Sequence, residues 1–108
     1  MANVYTNYKV DLSTNSETTV YTVPSETTAI VRSIRLSNDD SSNACTLTIT
    51  LTDTNSAVFS LEKDKSIAAK TSDEILKAAL VMKESEVIKA TAQNANDLHI
   101  ILSVLEIS

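Results

Sequence analysis

The chain has no glycine and no tryptophan, one proline, one cysteine and one histidine in 108 residues. The missing glycine excludes several kinds of site at once. A P-loop, a GxGxxG dinucleotide turn and a nucleophile elbow all need backbone that glycine adopts most readily. Turns must be built from Asn, Asp and Ser instead, and such clusters stand at residues 13–15, 38–43, 53–56, 71–73 and 93–97. The lone Cys45 has no intrachain partner, so no disulfide framework is expected. Aromatic residues are limited to Tyr5, Tyr8, Tyr21 and Phe59, which leaves the core to Ile, Leu and Val. The nine basic residues are scattered and the net charge is −5, so no nucleic-acid partner is expected. The longest clean apolar run, residues 78–82, is far too short to span a membrane. The opening MANVYTNYKV lacks the basic and apolar regions of a signal peptide. No membrane association is expected.

What is present is strand-forming. Hydrophobic residues make up 43% and charged residues 21%, the composition of a folded domain that buries roughly two-thirds of its unfolded surface. Fourteen Thr and fourteen Ser fit strands and polar turns. Residues 4–12 alternate Val4, Thr6, Tyr8, Val10 and Leu12 against polar neighbours and Tyr5, the period of a half-buried strand. Residues 18–23 form a second strand, ended by Pro24, which cannot donate to a ladder. Residues 28–37 form a third with imperfect alternation: Ile30, Ile34 and Leu36 share a parity with Arg32, and Val31 takes the other. A bulge, or cover on both faces, accounts for this. Residues 45–53 alternate cleanly, with Cys45, Leu47, Ile49 and Leu51 inward and Thr46, Thr48, Thr50 and Thr52 outward. A turn at 53–56 returns residues 57–61 as a hairpin, and 66–70 reads as a short edge strand.

Residues 71–85 read two ways. Ser72-Asp73-Glu74 could cap a helix that ends at Lys83. Ile75, Leu76, Leu80 and Met82 make no clean helical stripe, and two short strands, 74–77 and 80–83, suit the all-β setting better. Residues 87–92 and 98–107 close the chain. In the last run Leu98, Ile100, Leu102 and Val104 share one parity while Ile101, Leu105 and Ile107 share the other, as in a central strand or one covered by a partner subunit. The whole is expected to be one all-β domain over residues 1–108, an antiparallel β-sandwich of jelly-roll type. Its core is expected to contain Ile30, Ile34, Leu36, Leu47, Ile49, Leu51, Leu98, Ile100 and Leu102.

Few residues invite a chemical reading. A catalytic triad would have to use His99, with Asp97 on the same strand face, but no nucleophile motif accompanies the pair. Cys45 reads as a small buried hydrophobe rather than a reactive thiol. Asp39, Asp40, Ser41, Ser42 and Asn43 offer oxygen ligands, yet the EF-hand spacing and its glycine are missing, and the group reads as a solvated turn. Glu62-Lys63-Asp64-Lys65 alternates in sign and reads as an edge or loop that discourages strand pairing. The Thr46–Thr52 row would suit an ice-binding face only if repeated on neighbouring strands; it occurs once. No catalytic, cofactor-binding or metal-binding residue is therefore assigned, and no enzyme activity or cofactor is expected.

The segments Tyr21-Thr22-Val23-Pro24, Thr28-Ala29-Ile30-Val31-Arg32-Ser33-Ile34 and Leu36-Ser37-Asn38 resemble a group of small virion proteins of tailed phages. The likeness continues through Leu80-Val81-Met82, Val87-Ile88-Lys89-Ala90 and Ser103-Val104-Leu105-Glu106-Ile107. Such proteins usually carry Gly after the Pro and Gly-Asp before the penultimate strand; Ser25-Glu26 and Ser85-Glu86 stand there instead. The resemblance implies a non-enzymatic β-sandwich subunit assembled into virions in the host cytoplasm. A capsid decoration protein on the major capsid protein is the first expectation. A tail, neck, baseplate or fibre-base protein bound to a tail protein is the second. It also implies a homo-oligomer, with a trimer suited to three-fold shell positions. A carbohydrate-binding module is disfavoured by the shortage of exposed aromatics.

Overall fold

The computed structural model describes residues 3–108. Nine strands follow one another: β1 (Asn3–Asp11), β2 (Thr18–Thr22), β3 (Thr28–Asn38), β4 (Cys45–Thr52), β5 (Val58–Ile67), β6 (Ser72–Glu74), β7 (Leu80–Met82), β8 (Val87–Ala92) and β9 (Leu98–Ile107). They form two antiparallel sheets, one ordered β1-β9-β3-β6 with β7 also on β3, the other ordered β2-β8-β4-β5. Read as pairs, β1 meets β9, β2 meets β8, β3 meets β6 and β7, and β4 meets β5. The chain is thus one long hairpin, with its tip between β4 and β5, wound into two sheets that share a core. That winding is the jelly roll. Residues 71–85 hold two short strands and no helix, shifted toward the N-terminus from the expected 74–77.

Inward residues of both sheets fill the space between them. Ile34, Leu36, Leu47, Ile49, Leu98, Ile100 and Leu102 are all buried, as their alternation requires. Two expected core residues are not. Ile30 is half-buried on the outer face, because β3 carries a bulge between Val31 and Ser33. Ala29 and Val31 point inward before it, Ile34 and Leu36 after it. One extra residue inverts the parity, so a single alternation cannot be drawn across Arg32. Leu51 is half-buried and packs on the rim of the core, near the β4–β5 turn. β9 is a central strand, between β1 and β3, and its second apolar row, Ile101, Leu105 and Ile107, lies on the outer face of the sheet, where Ile101 is 39% exposed.

The region after the first hairpin also differs from expectation. Residues 58–61, the charged run 62–65 and the start of 66–70 belong to one strand, β5, rather than to a short return and a separate strand. Of its two readings, edge or loop, the charged run is the edge. β5 is a sheet edge, and Asp64 within it has φ 52°, with two register shifts against β4. Alternating charge is compatible with an edge strand exposed along most of its length.

Without glycine, six other residues among those described adopt left-handed backbone: Glu26, Ser56, Asp64, Lys70, Ser85 and Asn96. Glu26 and Ser85 hold this backbone in the turns that precede β3 and β8, where a residue with a Cβ is costlier than glycine. Side chains help. Asp53 Oδ1 accepts from the N–H groups of Asn55 (2.9 Å) and Ala57 (3.0 Å). Asn38, the buried polar residue at the end of β3, donates from Nδ2 to the carbonyls of Asn43 (3.0 Å) and Ile67 (2.9 Å). It thereby ties the first sheet to the second.

Candidate functional site

His99 does not pair with Asp97. Its Nε2 lies 3.4 Å from Asp11 Oδ1 on β1, and its Nδ1 lies 3.6 Å from Asp39 Oδ2 just past β3. Adjacent strands bring these groups together, which spacing along the chain could not reveal. Ser37 is the cross-strand neighbour of His99, so serine, histidine and aspartate do share one row. Both ring nitrogens face carboxylates, however, and none is left to take a proton from the Ser37 hydroxyl. The arrangement lacks the nucleophile–base contact that acyl transfer needs.

The acidic turn after β3 uses its oxygens internally. Asp40 Oδ1 accepts from the N–H groups of Ser42 (2.8 Å) and Asn43 (3.0 Å). These backbone bonds lower the Asp40 pKa. Asp40 N–H in turn donates to Asn38 Oδ1 at 2.9 Å. Among the described residues, no group of three or more His, Cys, Asp or Glu side chains is placed to hold a metal ion. Cys45 is fully buried in the core. The Thr46–Thr52 row is half-buried; Thr48 faces Thr91 across the ladder, but Lys89 and Val87 face Thr50 and Thr52, so the row is not continued on β8.

The most developed polar cluster is one that alternation alone does not announce. Glu106 sits on the inward parity of β9 among Leu98, Ile100, Leu102 and Val104. Its Oε2 accepts hydrogen bonds from the phenols of Tyr8 (2.7 Å) and Tyr21 (2.6 Å). The two rings lie 4.4 Å apart between centroids. Burial, then the bond to Glu106, raises Tyr8 from 10.0 to about 12; the same causes raise Tyr21. Because Tyr8 is on β1 and Tyr21 on β2, the cluster clasps the two sheets together. The signal was a lone acid within the apolar terminal strand.

A second carboxylate repairs the break between β6 and β7. Glu74 Oε2 accepts from the N–H groups of Ile34 (2.8 Å) and Leu76 (3.2 Å), and its Oε1 accepts from the Ser33 hydroxyl. It stands in for strand pairing where neither β6 nor β7 reaches β3.

The surface is uneven. Among the described residues, five of the six large apolar side chains left exposed, Val4, Tyr5, Val58, Phe59 and Val81, lie toward the end that carries the β4–β5 and β7–β8 turns. Across the first sheet, Tyr5, Leu105, Ile30 and Val81 form one cross-strand row on the outer face. Beside this row lies an open depression lined by Tyr5, Thr6, Asn7, Arg32, Ser103 and Val104. Both arginines, Arg32 and Arg35, are exposed on this sheet, and neither is ion-paired among the described residues. The opposite end is built from the polar turns at 13–17, 39–44 and 93–97.

No protein-family profile and no curated protein matches the sequence. Solved structures do match in fold. A chain of the T13 viral particle of IBDV superposes with a TM-score of 0.58 at 9% identity, over 96% of this chain. This chain spans only 30% of the length of that viral chain. A chain from Bacillus endospore appendages, described as disulfide-linked pili, gives a TM-score of 0.52 at 11% identity, covering 99% of this chain and 85% of that one. At such identities the likeness is one of fold.

Proposed function

We propose that the chain is a non-enzymatic structural subunit of a tailed-phage virion, a decoration protein that coats the outer shell in many copies and binds the major capsid protein. The observation that carries this reading is the apolar end of the sandwich. Val4, Tyr5, Val58, Phe59 and Val81 are 49–72% exposed there, while the far end is made of Asn, Asp and Ser turns. A small acidic protein gains nothing alone from such a distribution; a subunit seated on a larger surface buries it. The phage-type sequence blocks support the phage assignment, and likeness in fold to chains of a viral particle and of a pilus supports a structural role. Assembly in the host cytoplasm and association of copies with one another belong to the same reading.

Cosedimentation with purified shells and purified tails of the encoding virus tests it. Saturable binding to shells is expected, weakened by Phe59→Ser and by Val81→Ser. Saturable binding to tails alone would move the subunit to the tail, neck or fibre base. Binding to neither would overturn the virion reading.

A further inference from the structure

A sandwich with open sheets has edges, and an unprotected edge is a template for another strand. Three of the edges here are blunted by familiar devices. β5 has two register shifts, a left-handed Asp64 and alternating charge at Glu62–Lys65. β2 is five residues long, has a register shift between Thr19 and Tyr21, and is soon followed by Pro24. β6 and β7 are three residues each, with a gap between them.

β1 has none of these. It is nine residues long and holds an unbroken register against β9 from Asn3 to Asp11. It contains no proline, carries a single lysine, and is rich in the β-branched and aromatic residues Val4, Tyr5, Thr6, Tyr8 and Val10. Its odd residues are exposed, and Val4 on the other parity is 49% exposed. Among the described residues, its other edge meets no strand.

We infer that β1 is a docking edge for the β1 of a second copy, running antiparallel across a two-fold axis at Asn7. The sequence of the strand fits itself in that register. Val4 then faces Val10, Tyr5 faces Lys9, Thr6 faces Tyr8, Asn3 faces Asp11, and Asn7 faces its own counterpart. Parity is preserved, so the inner and outer faces of the two sheets run on continuously. No charge meets a like charge: Lys9 lies against an aromatic ring and Asp11 against an amide, both favourable or neutral cross-strand pairs. Val4 and Tyr5, both exposed apolar residues, gain cover. The contact is isologous and closes on itself, leaving no further unprotected edge. It deepens the proposed structural role, on which its biological sense rests, by naming the strand and symmetry through which copies associate. The unit in solution is then a two-fold dimer, not the trimer that shell positions alone suggest.

The test uses the whole chain. Two cysteines directly opposite in an antiparallel ladder have Cα atoms roughly 4.5–5.5 Å apart, within disulfide reach. Asn7→Cys is expected to oxidise to a covalent dimer without loss of fold, while Asn15→Cys in the exposed β1–β2 turn is not; Cys45 is buried and takes no part. Asn7→Lys places two lysines face to face and is expected to abolish the dimer in sedimentation equilibrium while the chain stays folded, with a melting temperature that no longer rises with protein concentration. A wild-type chain that stays monomeric at high concentration, or Asn7→Cys that crosslinks no better than Asn15→Cys, overturns the inference. A monomer that coats shells overturns the strand pairing and leaves the virion reading standing. A crosslinked dimer that binds neither shells nor tails does the reverse.

Discussion

Glu106→Ala should be among the most damaging substitutions outside the apolar core. The carboxylate holds two phenols at 2.7 and 2.6 Å, and Tyr21 is only 3% exposed. Without Glu106 the Tyr21 hydroxyl stays buried with no partner, at a cost of about 1–3 kcal/mol. The half-buried Tyr8 can turn to water and loses about 1 kcal/mol. The expected total is roughly 2–4 kcal/mol, read by chemical denaturation. In a domain of this size that corresponds to roughly 10–20 °C in melting temperature. Tyr8→Phe, Tyr21→Phe and Glu106→Leu combined should lie much closer to the wild type, because removing every partner leaves nothing unsatisfied. A loss below about 0.5 kcal/mol for Glu106→Ala, the size of an ordinary surface effect, would refute the reasoning. The same cluster makes stability depend on alkaline pH. Tyr8 is raised from 10.0 to about 12, and Tyr21 is raised too. The folded state therefore keeps protons that the unfolded state releases, and this stability is fully present below pH 10 and lost as the pH rises through 12. Glu106→Gln should narrow that window, since burial, the larger cause, remains.

Ile49→Ala, at a fully buried site, should cost about 2–5 kcal/mol in denaturant unfolding, whereas Ile30→Ala should cost well under half as much because the bulge turns Ile30 outward. Glu26→Gly and Ser85→Gly, at φ 55° and 69°, should leave stability unchanged or raise it by up to about 1 kcal/mol, and Glu26→Val should lower the melting temperature. A chelator should not move the melting temperature, and His99→Ala should not diminish shell binding; a large shift with chelator would make the Asp39–Asp40 turn a cation site.

Most of the fold was legible because most strands alternate without interruption. β4, β8 and β9 could be drawn from periodicity, and buried Leu47, Ile49, Leu98 and Ile100 followed from it. Where a strand carries an extra residue, alternation misleads. Arg32 inverts the parity of β3, so Ile30 appears to share a face with Ile34 when it does not. β5 was hidden as one continuous strand because its charged middle reads equally as edge or loop and separates two pieces that look like strands of their own. Strand order lies beyond local pattern altogether. Asp11, Asp39 and His99 meet only because β1, β9 and β3 are neighbours, and the clasp of Tyr8 and Tyr21 on Glu106 requires three strands from two sheets. The glycine-free turns hid in the same way: Glu26 and Ser85 look like ordinary surface residues until the backbone they must adopt is known.

The central claim is that this chain is a repeated structural part of a virion. Absolute quantification of the protein in purified particles, against the major capsid protein, tests that claim most directly. Many copies per particle are expected, in a ratio to the capsid protein that stays constant between preparations and survives washing. Its absence from washed particles, or a trace amount that varies from one preparation to the next, would contradict it.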